Sequence, residues 1–394
     1  MNARSFCVVP RYHRPVFGSH LSIAGDMTNA LREAEGLGLD TVQVFTKNQR
    51  QWKVAPLKDE ARSAWLAELA RLGWSDRAVA HNSYLVNLAS PDEGAWERSV
   101  ETQREEIERC EALSIPLLVS HPGSHLGTGE EAGIARIGFA YARLFKETPG
   151  YRTVVCIENT VGGGSNLGGP FEHLAAIRGA VIRSAEDLGV DPDEAAGRVA
   201  FCFDTCHAHG AGHDMTSEEA AAATLDRFDA VCGPGLLRVM HVNDSKAPRA
   251  SKRDLHEHIG RGTIGLGAFA AVVKRPALAN VPKILETPKG EAPADLGGGP
   301  WDAINLSILR ALQRGETPSV EPAQTVKPAR TASRASSKKP GAGSSKEKPG
   351  APATAGAKKS GSAPAGGPGG AGAKTARPAK GVSKKASKAP RRRP

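Results

Sequence analysis

Short apolar runs alternate with longer amphipathic stretches between residues 17 and 313 of this chain. Eight runs have the length and composition of buried strands, and they begin at Phe17, Thr41, Ala78, Pro116, Thr153, Val199, Leu237 and Pro282. Helical periodicity is found between them, as in MTNALREAEGLG from Met27, DEARSAWLAELARLG from Asp59, ERSVETQREEIERCEALS from Glu97 and TSEEAAAATLDRFDAV from Thr216. Eight strand–helix units in about 300 residues favour an α/β fold, the (β/α)₈ TIM barrel, over an open doubly wound sheet.

Polar side chains stand at or just beyond the last apolar residue of most of these runs. They are His81, His121, Glu158, Asp204, His207, His241 and Glu286. The carboxyl ends of all barrel strands gather on one face, where the following loops build active sites. Residues far apart in the sequence are therefore predicted to converge on that face.

The segment from Met240 to Gly265, MHVNDSKAPRASKRDLHEHIGRGTIG, adds two candidate metal ligands. Asp254 and His256 follow His241 in this segment. Neutral histidine and carboxylate groups are ligands that a reactive Zn²⁺ or Mn²⁺ ion accepts. Taken alone, an Asp-x-His pair is as readily two solvated loop residues, and a single histidine at a strand end is more often a hydrogen-bonded loop residue.

Together, five histidines and four carboxylates share the predicted face. Burying them without metal would leave desolvated charges and like-charge repulsion uncompensated. Nine ligands are too many for one catalytic zinc, and they suit a cluster of two or three ions. Clustered ions activate a water and neutralise both an attacked phosphate and the departing oxygen. The residues thus predict phosphodiester hydrolysis.

The basic charge of the chain lies in its C-terminal part. Residues 315–394 contain 18 Lys or Arg against three acidic residues, a net charge of +15, so residues 1–314 carry −5 of the total of +10. Because this tail has no aromatic residue, we expect it to be disordered. A flexible polycation binds nucleic-acid backbones, and a solubility tail or linker is the alternative. The predicted domains are an N-terminal extension (1–16), a barrel (17–314) and the tail (315–394).

Six cysteines are scattered through the chain without a CxxC pair, which indicates reduced thiols rather than a disulfide framework. No run has the length of a signal-peptide core or of a membrane span. We therefore expect a cytoplasmic, nucleoid-associated protein without a membrane partner, and a monomer is the default.

Eight segments of the chain resemble the endonuclease IV family of apurinic/apyrimidinic endonucleases, in the order of that family and from about residue 18 to 310. They are FTKNQRQW (Phe45 to Trp52), HNSYLVNLAS (His81 to Ser90), SHPGSHLG (Ser120 to Gly127), IENTVGGGSNLGG (Ile157 to Gly169), FDTCHAHGAGHD (Phe203 to Asp214), HVNDSK (His241 to Lys246), DLHEHIGRGTIG (Asp254 to Gly265) and LETP (Leu285 to Pro288). The resemblance implies a TIM barrel with three zinc ions that cuts DNA on the 5′ side of an abasic site. The products would be a 3′-hydroxyl and a 5′-deoxyribose phosphate, and blocked 3′ ends would also be cleared.

The same resemblance implies how the ligands divide among the ions. The first ion would be bound by His81, His121 and Glu158. Glu158 would bridge to a second ion bound by Asp204, His241 and Glu286, and the third ion would be bound by His207, Asp254 and His256. Glu158 and Glu286 are the carboxylates assigned to catalysis. Because Asp, Glu and His accept both metals, Mn²⁺ at one or more positions is left open.

Two loop residues are implied in recognition of the lesion. By the resemblance, Arg50 and Tyr84 enter the DNA and keep the abasic nucleotide flipped out, which costs less than extruding a paired base. The alternatives are an exposed loop cation for Arg50 and a half-buried packing residue for Tyr84.

The chain departs from the family pattern at three points. Ala250 stands where the family usually carries glycine, and Leu255 stands between Asp254 and His256 where an arginine is usual. The Leu255 side chain cannot form a charge-assisted hydrogen bond with a phosphate, so we expect a lower affinity for DNA. The basic tail is the third departure, and its attraction to the DNA backbone would compensate in part.

Two other functions remain open from the sequence. A metal-dependent sugar isomerase or epimerase also uses a barrel with His and carboxylate ligands at the strand ends, but it needs only one or two ions. A noncatalytic, nucleoid-associated DNA-binding protein would owe its affinity to the tail alone.

Overall fold

A computed structural model of the chain describes residues 15–321. In chain order the strands are β1 (Phe17–His20), β2 (Thr41–Phe45), β3 (Val79–His81), β4 (Leu117–Ser120), β5 (Val154–Glu158), β6 (Val199–Asp204), β7 (Leu237–His241), β8 (Asp244–Ser245), β9 (His256–Glu257) and β10 (Lys283–Leu285). β8 and β9 pair as a separate antiparallel hairpin, and the other eight strands form a closed parallel barrel. Because β10 pairs with both β1 and β7, the sheet has no free edge. The predicted TIM barrel is confirmed.

Helices cover the outside of the barrel. They are α1 (Thr28–Gly36), α2 (Asp59–Leu72), α3 (Glu93–Ala112), α4 (Glu130–Glu147), α5 (Phe171–Asp187), α6 (Pro192–Gly197), α7 (Thr205–Ala211), α8 (Glu218–Cys232), α9 (Leu266–Lys274) and α10 (Trp301–Gln313). Short 3₁₀ turns lie at Pro276–Leu278 and Ala294–Leu296. α3 begins four residues earlier than its apolar pattern predicts, because the Asp92 side chain accepts a hydrogen bond from the Ala95 N–H and caps the helix.

Apolar side chains from the strands pack together in the interior of the barrel. It is filled by Val79, Leu117, Val119, Cys156, Ala200, Cys202, Val239 and Ile284. Larger side chains such as Trp65 and Phe228 belong to the second apolar layer, between the strands and the helices. With this apolar filling, the carboxyl ends of the strands and the loops that follow them are the natural place for a polar site.

The structure describes five of the cysteines but very little of the two ends of the chain. The five described cysteines are free and buried, as expected for reduced thiols. No helix in the described part is long and apolar enough to cross a membrane. The N-terminal extension and the tail lie almost entirely outside the described residues. Within residues 315–321, Val320 packs against the core of the barrel.

The loop that joins β8 to β9 contains two residues with unusual backbone angles. Ala250 and Lys252 have φ values of 62° and 57°, in the left-handed region that favours glycine. Their N–H groups donate to the carbonyl oxygens of His209 and Gly210 in α7, at 3.0 Å each. The turn expected from the family's glycine is therefore kept, at a cost of about 1–2 kcal/mol for a residue with a Cβ atom.

Ala250→Gly should consequently raise the free energy of unfolding by about 0.5–1 kcal/mol, because relief of the left-handed strain exceeds the extra entropy of the unfolded chain. Urea unfolding followed by circular dichroism measures the change. The matched control is Ala223→Gly at an exposed position inside α8, which should lower stability by about 1 kcal/mol. A loss of stability at both positions would contradict the assignment of strain to Ala250.

Candidate metal centre

All nine predicted ligands lie on the face formed by the carboxyl ends of the strands. Four of them are the last residues of their strands: His81, Glu158, Asp204 and His241. His121 and Glu286 directly follow β4 and β10. His207 lies in the first turn of α7, Asp254 precedes β9 and His256 begins it. The barrel thus gathers side chains that are separated by more than 200 residues of sequence.

Glu158 lies at the middle of this arrangement and is fully buried. Its Oε2 atom is 3.3 Å from His81 Nε2 and 3.1 Å from His121 Nε2. Its Oε1 atom is 3.0 Å from His241 Nδ1 and 3.1 Å from His207 Nδ1. One carboxylate therefore faces two separate groups of histidines, each through a different oxygen.

Five groups of described side chains could hold a metal ion, with one donor atom per residue within 4.8 Å of the others. Two of the groups include a cysteine, Cys202 or Cys206. The other three consist of predicted ligands alone: His81, His121 and Glu158; Glu158, Asp204, His241 and Glu286; and His207, Asp254 and His256. These are the same divisions that the family resemblance implies, with Glu158 shared between the first two.

The histidines are oriented as metal ligands usually are, with one ring nitrogen anchored and the other directed into the cluster. The Nδ1–H groups of His81, His207 and His256 donate to the carbonyl oxygens of Asn82, Asn159 and Glu286, at 2.8, 2.9 and 3.1 Å. His256 Nε2 is buried and lies 3.1 Å from Asp254 Oδ1 and 3.8 Å from Asp204 Oδ2. A buried ring nitrogen that faces two carboxylates suits a shared cation.

The pKa values of the titratable groups in the site also favour bound cations. Burial alone would raise the pKa of Glu158, yet His241 and His121 hold it well below its usual range. Burial opposes protonation of both His241 and His256. Glu286 and Glu158 nevertheless raise the pKa of His241 to about 9. Asp254 likewise raises the pKa of His256 to about 9. Protons thus supply the positive charge that these carboxylates require, and divalent cations would supply it in their place.

Amide side chains that sequence reasoning missed hold the carboxylates in position. Gln43 Nε2 donates to Glu286 Oε1 at 2.7 Å, and Gln43 Oε1 accepts from His241 Nε2 at 2.9 Å. Asn243 Nδ2 donates to Asp204 Oδ2 at 2.7 Å, while Asn243 Oδ1 accepts from the Glu286 N–H at 2.8 Å. The signal in the sequence was Gln43 itself, a polar residue in the middle of the apolar strand TVQVF.

His20 and Cys206 also touch the site. His20 Nδ1 lies 3.3 Å from Glu286 Oε1. Cys206 lies in the first turn of α7, which begins at Thr205. Its sulfur is within 4.8 Å of the donor atoms of Asp204 and His256.

Tyr84 and Arg50 lie at the rim of the site. The Tyr84 side chain is 62% exposed, so it is not the half-buried packing residue of the alternative interpretation. Its ring lies 5.4 Å from the ring of His81 and 5.9 Å from that of His121. Arg50 is exposed in the neighbouring loop, and the Ser83 hydroxyl donates to the Gln49 carbonyl at 2.8 Å, which ties the two loops together.

Leu255 lies between two ligands and is 36% exposed. Its carbonyl oxygen accepts from the Lys246 N–H at 2.9 Å, which extends the β8–β9 pairing by one residue. The side chain therefore presents an apolar surface next to Asp254 and His256.

Comparison with known proteins identifies relatives along the whole barrel. A family model described as "Xylose isomerase-like TIM barrel" matches residues 31–304. Proteins named "Probable endonuclease 4" from Chloroflexus aurantiacus and Geobacter sulfurreducens are each 41% identical to this chain, over 301 and 300 residues. Each match covers 76% of this chain, with 99% of the first protein and 95% of the second.

Some solved structures share only the barrel fold with this chain, whereas others are also similar in sequence. A D-tagatose 3-epimerase-like protein has a TM-score of 0.55 at 18% identity, which shows only the common barrel. Endonuclease IV from Thermus thermophilus has a TM-score of 0.63 at 32% identity, covering 76% of this chain and 100% of that protein. The sugar-epimerase alternative therefore rests on the fold alone, and the chain belongs to the endonuclease IV family of metal-dependent endonucleases.

Proposed function

We propose that this protein hydrolyses the phosphodiester on the 5′ side of an abasic site in duplex DNA, leaving a 3′-hydroxyl and a 5′-deoxyribose phosphate. The same chemistry would trim blocked 3′ ends. Three zinc ions are the proposed cofactors, with Mn²⁺ admitted at one or more positions by the ligand types. The protein would act as a monomer in the cytoplasm, on the DNA of the nucleoid.

The observation that carries this proposal is the position of Glu158 between two groups of histidines. A carboxylate that faces two ligand sets through different oxygens supports more than one ion, and with the third group of His207, Asp254 and His256 the ligands exceed the one or two ions that an epimerase needs. Bound together, the ions would lower the pKa of a water and offset the charge on the phosphate and on the leaving oxygen.

The chain's own residues then have distinct tasks. In the metal-free site burial raises the pKa values of Glu158 and Glu286, but the protonated ring of His241 holds them well below the usual range; bound cations would keep both carboxylates ionised in its place. Gln43 and Asn243 hold Glu286 and Asp204 by hydrogen bonds, so the carboxylates do not reorient during the reaction. Hydrolysis needs this fixed geometry because catalysis of phosphoryl transfer depends mainly on positioning and charge.

Lesion recognition is assigned to the two rim loops. Tyr84 offers an exposed aromatic face directly over the histidines, and Arg50 offers a cation beside it. An aromatic ring that replaces a missing base in the stack, with an arginine against the backbone, would hold an abasic nucleotide outside the helix.

The decisive experiment incubates the purified protein with a duplex that contains one abasic site, with and without prior treatment with a chelator. Gel electrophoresis should show a single nick 5′ to the lesion that disappears after chelation and returns with Zn²⁺. An identical duplex without the lesion is the control. Absence of a metal-dependent nick would refute the proposed function, and binding without a nick would favour the noncatalytic alternative.

The basic tail is proposed to bind the nucleic-acid backbone without regard to sequence. Truncation after Glu321 leaves Val320 on the barrel and removes 18 Lys or Arg. We expect the truncated protein to keep its turnover number at saturating DNA, and to bind undamaged duplex more weakly with a smaller dependence of affinity on salt. Fluorescence anisotropy across a salt series measures this, and an unchanged salt dependence would contradict it.

A further inference from the structure

The rim loop that carries Arg50 is held at both ends by a single buried side chain. Arg109 of α3 donates from Nη2 to the Ala55 carbonyl at 2.6 Å and from Nη1 to the Thr46 carbonyl at 3.5 Å. Its Nε–H donates to Glu105 Oε1 at 3.1 Å. The guanidinium group therefore bridges the base of a loop whose central residues are exposed.

A buried ionic network surrounds this contact. Lys47 Nζ lies 2.6 Å from Glu105 Oε2 and 3.7 Å from Glu106 Oε1, and the Lys47 side chain is almost completely buried. The Thr46 hydroxyl donates to Glu106. With Arg109 included, two cations face two carboxylates, so the charges beneath the loop balance.

The second rim loop rests on the same helix. The Asn82 side chain donates to Gln103 of α3, and the neighbouring Ser83 hydroxyl donates to the Gln49 carbonyl. α3 is thus a common support for the loops that present Arg50 and Tyr84. Neither Arg109 nor its partners lie among the nine metal ligands, and the proposed chemistry makes no use of them.

We propose that Arg109 is a positioning residue that fixes the Thr46–Ala55 loop in its DNA-binding conformation and thereby sets the affinity for abasic DNA. This inference rests on the proposed function of Arg50 and Tyr84. Ordering a loop during binding costs free energy that a preformed loop does not lose. Without the bridge between Thr46 and Ala55, that cost falls on the step in which the lesion is bound, and the chemical step at the ions is unaffected.

The test compares Arg109→Met with Arg198→Met. Arg198 is equally buried and also donates to a carbonyl oxygen, that of Thr148, at 2.8 Å. It lies directly before β6, at the amino ends of the strands and therefore on the face opposite the metal centre. Both variants lose a buried guanidinium group, so a general loss of stability affects both, whereas only the first removes the support of the rim loop.

The first measurement is limited proteolysis with trypsin in the absence of DNA. Arg50 and Lys53 are exposed cleavage sites inside the loop. At equal fractions of folded protein, Arg109→Met should be cut there about tenfold faster than Arg198→Met. The second measurement is steady-state incision. KM for the abasic duplex should rise about tenfold in Arg109→Met, with kcat and metal content within about twofold of the wild-type values.

Cleavage in the loop no faster than in Arg198→Met would overturn the proposal, and so would a loss of kcat at unchanged KM. If Arg109→Met does not fold, Arg109→Lys replaces it. Lysine keeps the charge but cannot span both carbonyl oxygens and Glu105, so the same pattern is expected to a smaller extent, and its absence is equally decisive. Failure of the wild-type protein to nick abasic DNA would instead refute the proposed function. The trypsin experiment is independent of that outcome, because it tests only whether Arg109 holds the loop.

Discussion

Glu158→Gln should abolish turnover. Removal of one preorganised group that stabilises the charge of the transition state lowers the rate by roughly 10²–10³-fold. The effect is expected at the upper end of this range, because His81 and His121 on one side and His207 and His241 on the other all lose their charged partner. Single-turnover kinetics and elemental analysis of the purified variant should show lost incision together with lost metal.

The matched control is Glu111→Gln. Glu111 is a partly buried carboxylate that accepts hydrogen bonds from the N–H groups of Arg152 and Thr153, near the amino ends of the strands. Its replacement should leave both turnover and metal content unchanged. If Glu158→Gln kept near-normal activity, the assignment of Glu158 as a shared ligand would have to be abandoned.

Removal of the metal ions should lower the melting temperature, and by more at pH 9 than at pH 6. In the metal-free site the pKa values of His241 and His256 are raised to about 9, by Glu286 and Asp254 respectively against the effect of burial. Protonation of these two rings therefore stabilises the metal-free fold fully below about pH 6.5, and this contribution is lost as the pH rises through 9. Metal ions need the unprotonated rings, so they bind more tightly as the pH rises.

Differential scanning calorimetry of the loaded and the chelated protein at several pH values measures this difference. An ion at 1,000 times its dissociation constant adds about 4 kcal/mol of stability. Titrations in buffers of different ionisation enthalpy should also show proton release on metal binding at pH 7. Subtracting the melting temperature of the chelated protein from that of the loaded protein at each pH cancels the contribution of titratable groups outside the site. One such group is Lys283, because burial lowers its pKa to about 7. A chelator effect that is equal at both pH values, or larger at pH 6, would contradict the prediction.

The sequence was most informative where the barrel constrains direction. Strands of a closed parallel barrel must end on one face, so polar residues such as Glu158 and His241 at the ends of apolar runs could be predicted to meet. The end of β7 and the start of α3 were less well predicted. The apolar run that begins at Leu237 does not indicate that β7 ends at His241, nor that Asp244 belongs to the β8–β9 hairpin, where it pairs with Glu257.

Supporting contacts could not be predicted in the same way. Gln43 reaches both His241 and Glu286, and Arg109 reaches Thr46 and Ala55, through side-chain conformations that depend on tertiary packing. Nothing in local periodicity separates Arg109 from the other charged residues of α3. Ala250 is a partial exception. The family pattern predicts glycine at this position, and the positive φ angle of Ala250 explains that preference.

The β8–β9 hairpin gives the three ligand sets unequal access to solvent. Asp204, Glu158 and His241 end barrel strands and have fully buried side chains, whereas the Asp254 side chain on the hairpin is 48% exposed. Exchange with ions in solution should therefore begin at His207, Asp254 and His256 and reach the inner carboxylates last. Fast exchange of metal would thus be a property of the β8–β9 hairpin, and slow exchange a property of the barrel strands.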